Sequence, residues 1–165
     1  EIRAQMRRMG ALLGRAERAE DLVRELDNRL DATRVAVDGL RPLAALHYVN
    51  SYTAGAGTLA SIVVERAGLE NLGSRLGLKG TVRLPLEVLV LASPDAVIGG
   101  QRFGTAPALA YQTFEHPALR SVLKGRDLTP VPDKYWICGG PFTAEAVRLL
   151  AAARAEIRTR GDVPR

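Results

Sequence analysis

The sequence holds little cysteine and little aromatic surface, and it lacks any long apolar run. Cys138 is the only cysteine, so no disulfide forms within the chain and the redox compartment stays open. No stretch of about 18 apolar residues occurs, so no segment reads as a membrane-spanning helix. Neither a repeat of roughly 20–50 residues nor a low-complexity tract is present, which excludes solenoids and arrays. There is no signal peptide, but the chain opens on Glu1-Ile2-Arg3, without methionine and already inside a periodic pattern. The expectation is therefore that the parent protein begins upstream, and the missing targeting segment says nothing about compartment.

What is present fits one α/β domain. Of the 165 residues, 47% are hydrophobic and 25% charged, enough to bury a real core. The formal charge of +5 raises the question of nucleic acid. However, the arginines alternate with acids, as in Arg15-Ala16-Glu17-Arg18-Ala19-Glu20-Asp21, and no basic cluster interleaves with aromatics. That pattern is a solvated helix face, so a nucleic-acid partner is not expected.

Residues 1 to about 36 are helical by periodicity. Ile2, Met6, Met9, Leu13, Ala16, Ala19, Val23, Leu26 and Leu30 recur at steps of three and four. Gly10 and Gly14 interrupt the series, each costing about 1 kcal/mol relative to Ala, so a break is predicted near Gly14. Gly39 and Pro42 end the region.

Strands and helices then alternate. Leu43–Val49 reads as a buried strand, followed by a Gly-rich turn and a helix from about Gly57 to Ala67, which Gly68 stops. Pro85 opens a short helix through Leu91, and Ser93-Pro94-Asp95 turns into the strand Ala96–Gly99. A helix near Pro107–Thr113, a turn at His116-Pro117, a strand near Leu128–Val131 and a closing helix from Phe142 to Arg158 complete the pattern. This alternation predicts a mostly parallel, Rossmann-like sheet flanked by helices and preceded by a long helix.

Ligands of open α/β sheets gather at the carboxyl ends of the strands. The loop Asn50 to Thr58 lies there, and Gly55 and Gly57 within it suggest a dinucleotide fingerprint. Ala60 stands where the third glycine belongs, and no acidic residue closes a second strand about 20 residues on. A tight turn needing glycine explains the loop equally well. Aromatic residues are only 5% of the chain, yet Tyr48, Tyr52, Tyr135 and Trp136 fall near this edge. Tyr52 and Trp136 suit a large flat or greasy ligand, whereas Tyr48, within the strand, reads as core.

Arg102, in the loop Gly99–Gly104, is a candidate partner for an anionic ligand group or a solvated surface arginine. His47 and His116 lack metal-ligand spacing and read as structural, so no metal site is expected. No Ser-His-Asp or Cys-His arrangement is legible, and neither catalysis nor a cofactor is expected. Glu87, in the first turn after Pro85, is favoured there by the helix dipole alone.

Taken in order, Ala45–Tyr48 to Gly57-Thr58, Ala67-Gly68-Leu69-Glu70-Asn71-Leu72, Leu84-Pro85-Leu86-Glu87-Val88-Leu89, Ser93–Ile98 and Trp136–Pro141 carry a resemblance. The chain resembles the C-terminal lobe of the siderophore- and cobalamin-type periplasmic binding proteins, whose two lobes are joined by one long helix. The resemblance implies a tail of an absent N-terminal lobe at 1–14, the linking helix at 15–38 and the C-terminal substrate-binding lobe at 39–165. It further implies an extracytoplasmic, non-enzymatic component of an ABC importer, periplasmic or membrane-anchored, that carries an iron chelate, haem or cobalamin between its lobes. Tyr52, Trp136, Arg102 and Tyr135 become ligand-contact candidates, and Glu87 becomes the carboxylate offered to the permease. Charged residues of the cobalamin-binding member are replaced here by Ile137–Pro141, a departure from that ligand's pattern. The alternative is a Rossmann-like nucleotide-binding domain of an enzyme.

Overall fold

A computed structural model describes residues 1–34, 39–99, 112–123 and 129–161. The predicted arginine site at Arg102, much of the helix expected near 107–113 and the last residues of the expected linking helix lie outside the described residues.

The periodic N-terminal region forms two helices, α1 (Ile2–Leu12) and α2 (Ala16–Ala32). Gly14, at φ +64°, takes the left-handed conformation that breaks them where the sequence places the break. The two fold back as an antiparallel hairpin. Arg3 pairs with Asp27, and the Arg7 Nε donates to Glu20 Oε1 at 2.7 Å, ties from opposite ends of the sequence pattern. At the crossing, Gly10 lies directly against the Ala19 side chain, which leaves no room for a Cβ. Val23 and Leu26 are the buried stripe of α2, and Leu30 packs against the core of the α/β unit.

That unit is a four-stranded parallel sheet in the order β3-β1-β5-β6, built from β1 (Leu43–His47), β3 (Glu70–Asn71), β5 (Ala96–Gly99) and β6 (Thr129–Pro130). β1 is covered on both faces, which is why it reads as a continuous apolar run. Ala44 and Leu46 pack with Val63 and Val64 of α3 (Leu59–Arg66) and with Val147 and Leu150 of α8 (Thr143–Gly161). Leu43 and Ala45 pack with Leu89 of α5 (Leu86–Ala92) and with Leu119 and Val122 of α7 (Pro117–Leu123). Two single-turn helices, α4 (Leu72–Arg75) and α6 (Gln112–Glu115), fill the connections. Gly68 at φ +79° ends α3 as the sequence suggests, while its start lies two residues past Gly57, where Thr58 is the N-cap and its Oγ1 accepts from the Ser61 amide. Pro85 is the N-cap of α5 rather than a residue of its first turn.

Several segments differ from their sequence reading: β1 ends at His47 rather than Val49, β3 and α7 have no counterpart in it, and the stretch after β1 changes most. The Gly-rich stretch after β1 is not a simple turn into α3. It carries a strand, β2 (Tyr52–Ala54), paired antiparallel with β4 (Thr81–Arg83). Strands this short have too few residues for alternation to announce them. Gly55 and Gly73 serve this packing. Gly55 sits against the Leu78 carbonyl, and a Cβ on Gly73 would meet the Ala54 carbonyl oxygen at 2.7 Å.

A buried polar network locks the arrangement. Asn71 Nδ2 donates to the Ala54 carbonyl at 2.8 Å and to Ser61 Oγ at 2.9 Å, while its Oδ1 accepts from the Gly73 amide. Ser61 and Ser74 both donate to Glu65 Oε1. Asn71→Ala strips β2, α3 and α4 of a shared partner in a site closed to water. It is expected to cost about 2–3 kcal/mol, read as a lower urea midpoint at unchanged slope.

Candidate functional site

All four strands of the main sheet run parallel, so the segments leaving β1 and β6 emerge at the same carboxyl edge. After β1 the chain makes a 3-10 turn, Val49–Ser51, and enters β2 at Tyr52. After β6 it makes a second 3-10 turn, Asp133–Tyr135, and reaches Trp136. The two loops touch. The Tyr48 and Trp136 rings meet edge to face with centroids 6.2 Å apart, a favourable arrangement of ring quadrupoles.

The predicted aromatic residues occupy different environments. Tyr52 is 39% exposed, and the Arg83 guanidinium lies 5.8 Å from its ring centroid. Trp136 is only 6% exposed and belongs to the main core with Ala44, Leu46 and Val147. Tyr135 is half-buried against the same core, and Lys134 Nζ stands 5.0 Å from its ring. Tyr48, read as a residue within the strand, follows the end of β1 and packs partly buried against the core; burial, reinforced by the charge of Asp133, holds its hydroxyl well above the usual phenol range. Trp136 and Tyr48 thus form a rigid backing, and other side chains make the exposed surface. Val49, Ile137 and Phe142 are exposed large apolar residues on these two loops, with Ile137 at 71%. Sequence reasoning did not select these three. Their signal was apolar residues placed where turn chemistry predicts water.

Beside this edge lies a groove of about 340 Å³ between the hairpin and the α/β unit. Gly57 and Leu59 at the start of α3, Gly139 and Thr143 at the start of α8, and Ile2 and Arg3 of α1 line it. Its volume is at the lower end for ligand sites.

Glu87 lies far along the chain from these loops, exposed in the first turn of α5, with exposed Leu91 one turn further on. It takes part in none of the ion pairs among the described residues. Its helix is nevertheless tied to the edge: the Leu84 amide donates to the Ser51 carbonyl at 2.8 Å, and Tyr52 pairs with Arg83 across β2 and β4. Asn50 and Ser51 both adopt left-handed φ, at 56° and 59°, a strained conformation for residues other than glycine. Of the two histidines, His47 is buried, edge-on to Phe114 at 5.1 Å, and His116 Nδ1 accepts from the Ala118 amide as a helix cap.

The fold is an α/β unit whose parallel sheet is covered on both faces. The profile of the family described as periplasmic binding protein matches residues 1–120, and the chain belongs to that family. Similar solved structures include the periplasmic haem-binding protein RhuT from Roseiflexus, 20% identical with a TM-score of 0.79, over 94% of this chain and 62% of that one. An ABC-type Fe3+-hydroxamate transport protein from Saccharomonospora viridis is 23% identical, TM-score 0.75, over 91% of this chain and 53% of that one. The molybdate-binding MolA from Haemophilus influenzae is 19% identical, TM-score 0.76, over 98% and 51%. At these identities the likeness is one of fold. This chain spans about half to three-fifths of their length. No curated protein sequence matches it.

Burial makes His47 a stability sensor. Both ring nitrogens lack hydrogen-bond partners among the described residues, and burial holds its pKa below the ordinary imidazole value. The unfolded chain therefore takes the proton more readily, so stability is complete above about pH 6.5 and falls as pH drops below it. The slope approaches at most about 1.4 kcal/mol per pH unit. His47→Leu should flatten the profile between pH 5 and 6.5, as followed by urea unfolding. The lowered carboxylates Glu20, Asp27 and Glu145 act in a separate, more acidic window.

Proposed function

We propose that the chain is the C-terminal lobe and linking helix of the substrate-binding component of an ABC importer, and that it carries an iron chelate, haem or cobalamin. The observation that carries this reading is the carboxyl sheet edge. There a rigid aromatic pair backs exposed Tyr52, Val49, Ile137 and Phe142, an unpartnered surface suited to one wall of a shared crevice. Family membership supports an extracytoplasmic, non-catalytic role. The names of similar structures, which bind haem or belong to a hydroxamate transport system, support the ligand class. A second lobe, packed in part on α1 through exposed Met9, Leu12 and Leu13, supplies the opposite wall. No helix among the described residues is long and apolar enough to cross a membrane, and the carrier is periplasmic or held near its permease by a membrane anchor.

In this reading the ligand is captured between two fairly rigid lobes, and closure is limited because the helical connection resists hinging. Glu87, exposed on α5, pairs with permease arginines. Tyr52 and Tyr135 contact the ligand, Trp136 contacts or buttresses it, and Arg102 offers a cation to it. The nucleotide-binding alternative is not favoured. The Leu78 carbonyl fills the space that a phosphate would need beside Gly55, and the family is one of solute carriers.

Two outcomes are expected for the full-length protein. Glu87→Ala should weaken uptake through the permease while ligand affinity stays within about twofold, as for other exposed substitutions; loss of affinity would count against docking. Saturating ligand should quench the fluorescence that Trp136→Phe removes, and an unchanged spectrum would take Trp136 out of the site.

A further inference from the structure

Resting on the reading of Glu87 as a docking carboxylate, we infer that Leu91 belongs to the same contact and enters an apolar socket of the permease beside the arginine that Glu87 meets. α5 is Leu86-Glu87-Val88-Leu89-Val90-Leu91-Ala92, apolar except for one charge. A helix that is apolar all round belongs in an interior, yet α5 has only one side there. Leu89 is fully buried, and Val88 and Val90 are partly buried against the same core, with Ala45 and Leu119. Glu87 and Leu91 stand four residues apart, hence on one helix face, and both are exposed. Leu91, at 85%, is the most exposed large apolar side chain on any described helix. α7 packs on the same face of the sheet and shows the ordinary arrangement, with Arg120 and Ser121 outward. A lone exposed leucine is common on protein surfaces; the composition of this helix and the charges around it single Leu91 out.

Those charges fit a basic partner. Between Leu84 and Gly99 the chain carries Glu87 and Asp95 and no lysine or arginine, although the sequence is +5 overall. Asp95 Oδ2 is committed to the Leu43 amide at 2.8 Å. Glu87 enters none of the ion pairs among the described residues, and Arg83, the nearest basic residue before it in sequence, lies over the Tyr52 ring. An arriving arginine therefore finds an open carboxylate with an apolar side chain one turn away. A second copy of this chain fits less well, because twofold pairing through this face brings Glu87 toward its own symmetry mate. The helix is also preset. Its N-cap Pro85 follows Leu84, whose amide is held by the Ser51 carbonyl at 2.8 Å, so docking costs little ordering. The carboxylate steers the encounter and is screened by salt, whereas the apolar contact sets how long the complex lasts.

The test measures binding of the full-length protein to its permease in lipid nanodiscs, by surface plasmon resonance across a salt series. Leu91→Ala is expected to speed dissociation about fivefold or more without altering the salt dependence. Glu87→Gln slows association and flattens the salt dependence. Leu91→Asp adds an acid beside Glu87, so purely electrostatic docking would tighten, whereas an apolar socket rejects it. Leu91→Met keeps affinity, and Ile62→Ala, exposed on a helix covering the opposite face of the sheet, changes nothing. Because Leu91 is exposed, its variants are expected to unfold at the parent's urea midpoint. Leu91→Ala within about twofold of the parent, or tighter binding by Leu91→Asp, would overturn the inference, while a weakened Glu87→Gln upholds the docking reading. Self-association that Leu91→Asp abolishes, with permease binding unmoved, would overturn it in favour of a second copy. Permease binding indifferent to Glu87→Gln and Leu91→Ala alike would overturn the docking reading and this inference with it.

Discussion

The buried amide of Asn71 holds the candidate crevice wall in place. From one position at the end of β3 it binds the backbone of β2, a hydroxyl of α3 and the first turn of α4. These elements approach so closely that glycine is needed at residues 55 and 73. A buried polar network has to be satisfied throughout, because each unpaired group in a dry site costs as much as a hydrogen bond gains. Here nearly every member is satisfied, and the reward is positional. The loop that leaves the central strand is turned into a paired strand, and Tyr52 is presented at a fixed height above the sheet.

That loop also connects two surfaces. Ser51, strained at positive φ, accepts the Leu84 amide, and Leu84 is next to the Pro85 cap of the helix that displays Glu87. The loop that presents Tyr52 and the helix that displays Glu87 therefore share a few residues of backbone. Strain of this kind persists only where the surroundings over-determine it, as the β2–β4 pairing does here.

The aromatic edge shows a division of labour that individual residue types conceal. Large rings carry both packing and recognition, and here the largest ring, Trp136, is assigned by the fold to packing. Exposed positions on the adjoining loops go to aliphatic Val49 and Ile137 and to Phe142, while Tyr52 and Tyr135 each lie beside a cation. The hairpin of α1 and α2 completes the outline of the groove, with Gly10 permitting the close crossing.

Much of this was legible in the sequence. The helical stripe through Val23 and Leu26, the break at Gly14, the cap at Gly68 and the strand Ala96–Gly99 all rest on local rules, namely periodicity, left-handed glycine and turn chemistry, and the fold obeys them. The alternation of strands and helices was sufficient to set a parallel sheet and therefore the edge at which Tyr52 and Trp136 emerge. Local chemistry had no means to announce β2 and β4, three residues each, because their pairing depends on partners about thirty residues apart. For the same reason the sequence alone determined which loops reach the edge, while tertiary packing decided which side chains on those loops face water. Burial is a property of neighbours distant along the chain, and only the folded contacts set Trp136 inward and Ile137 outward.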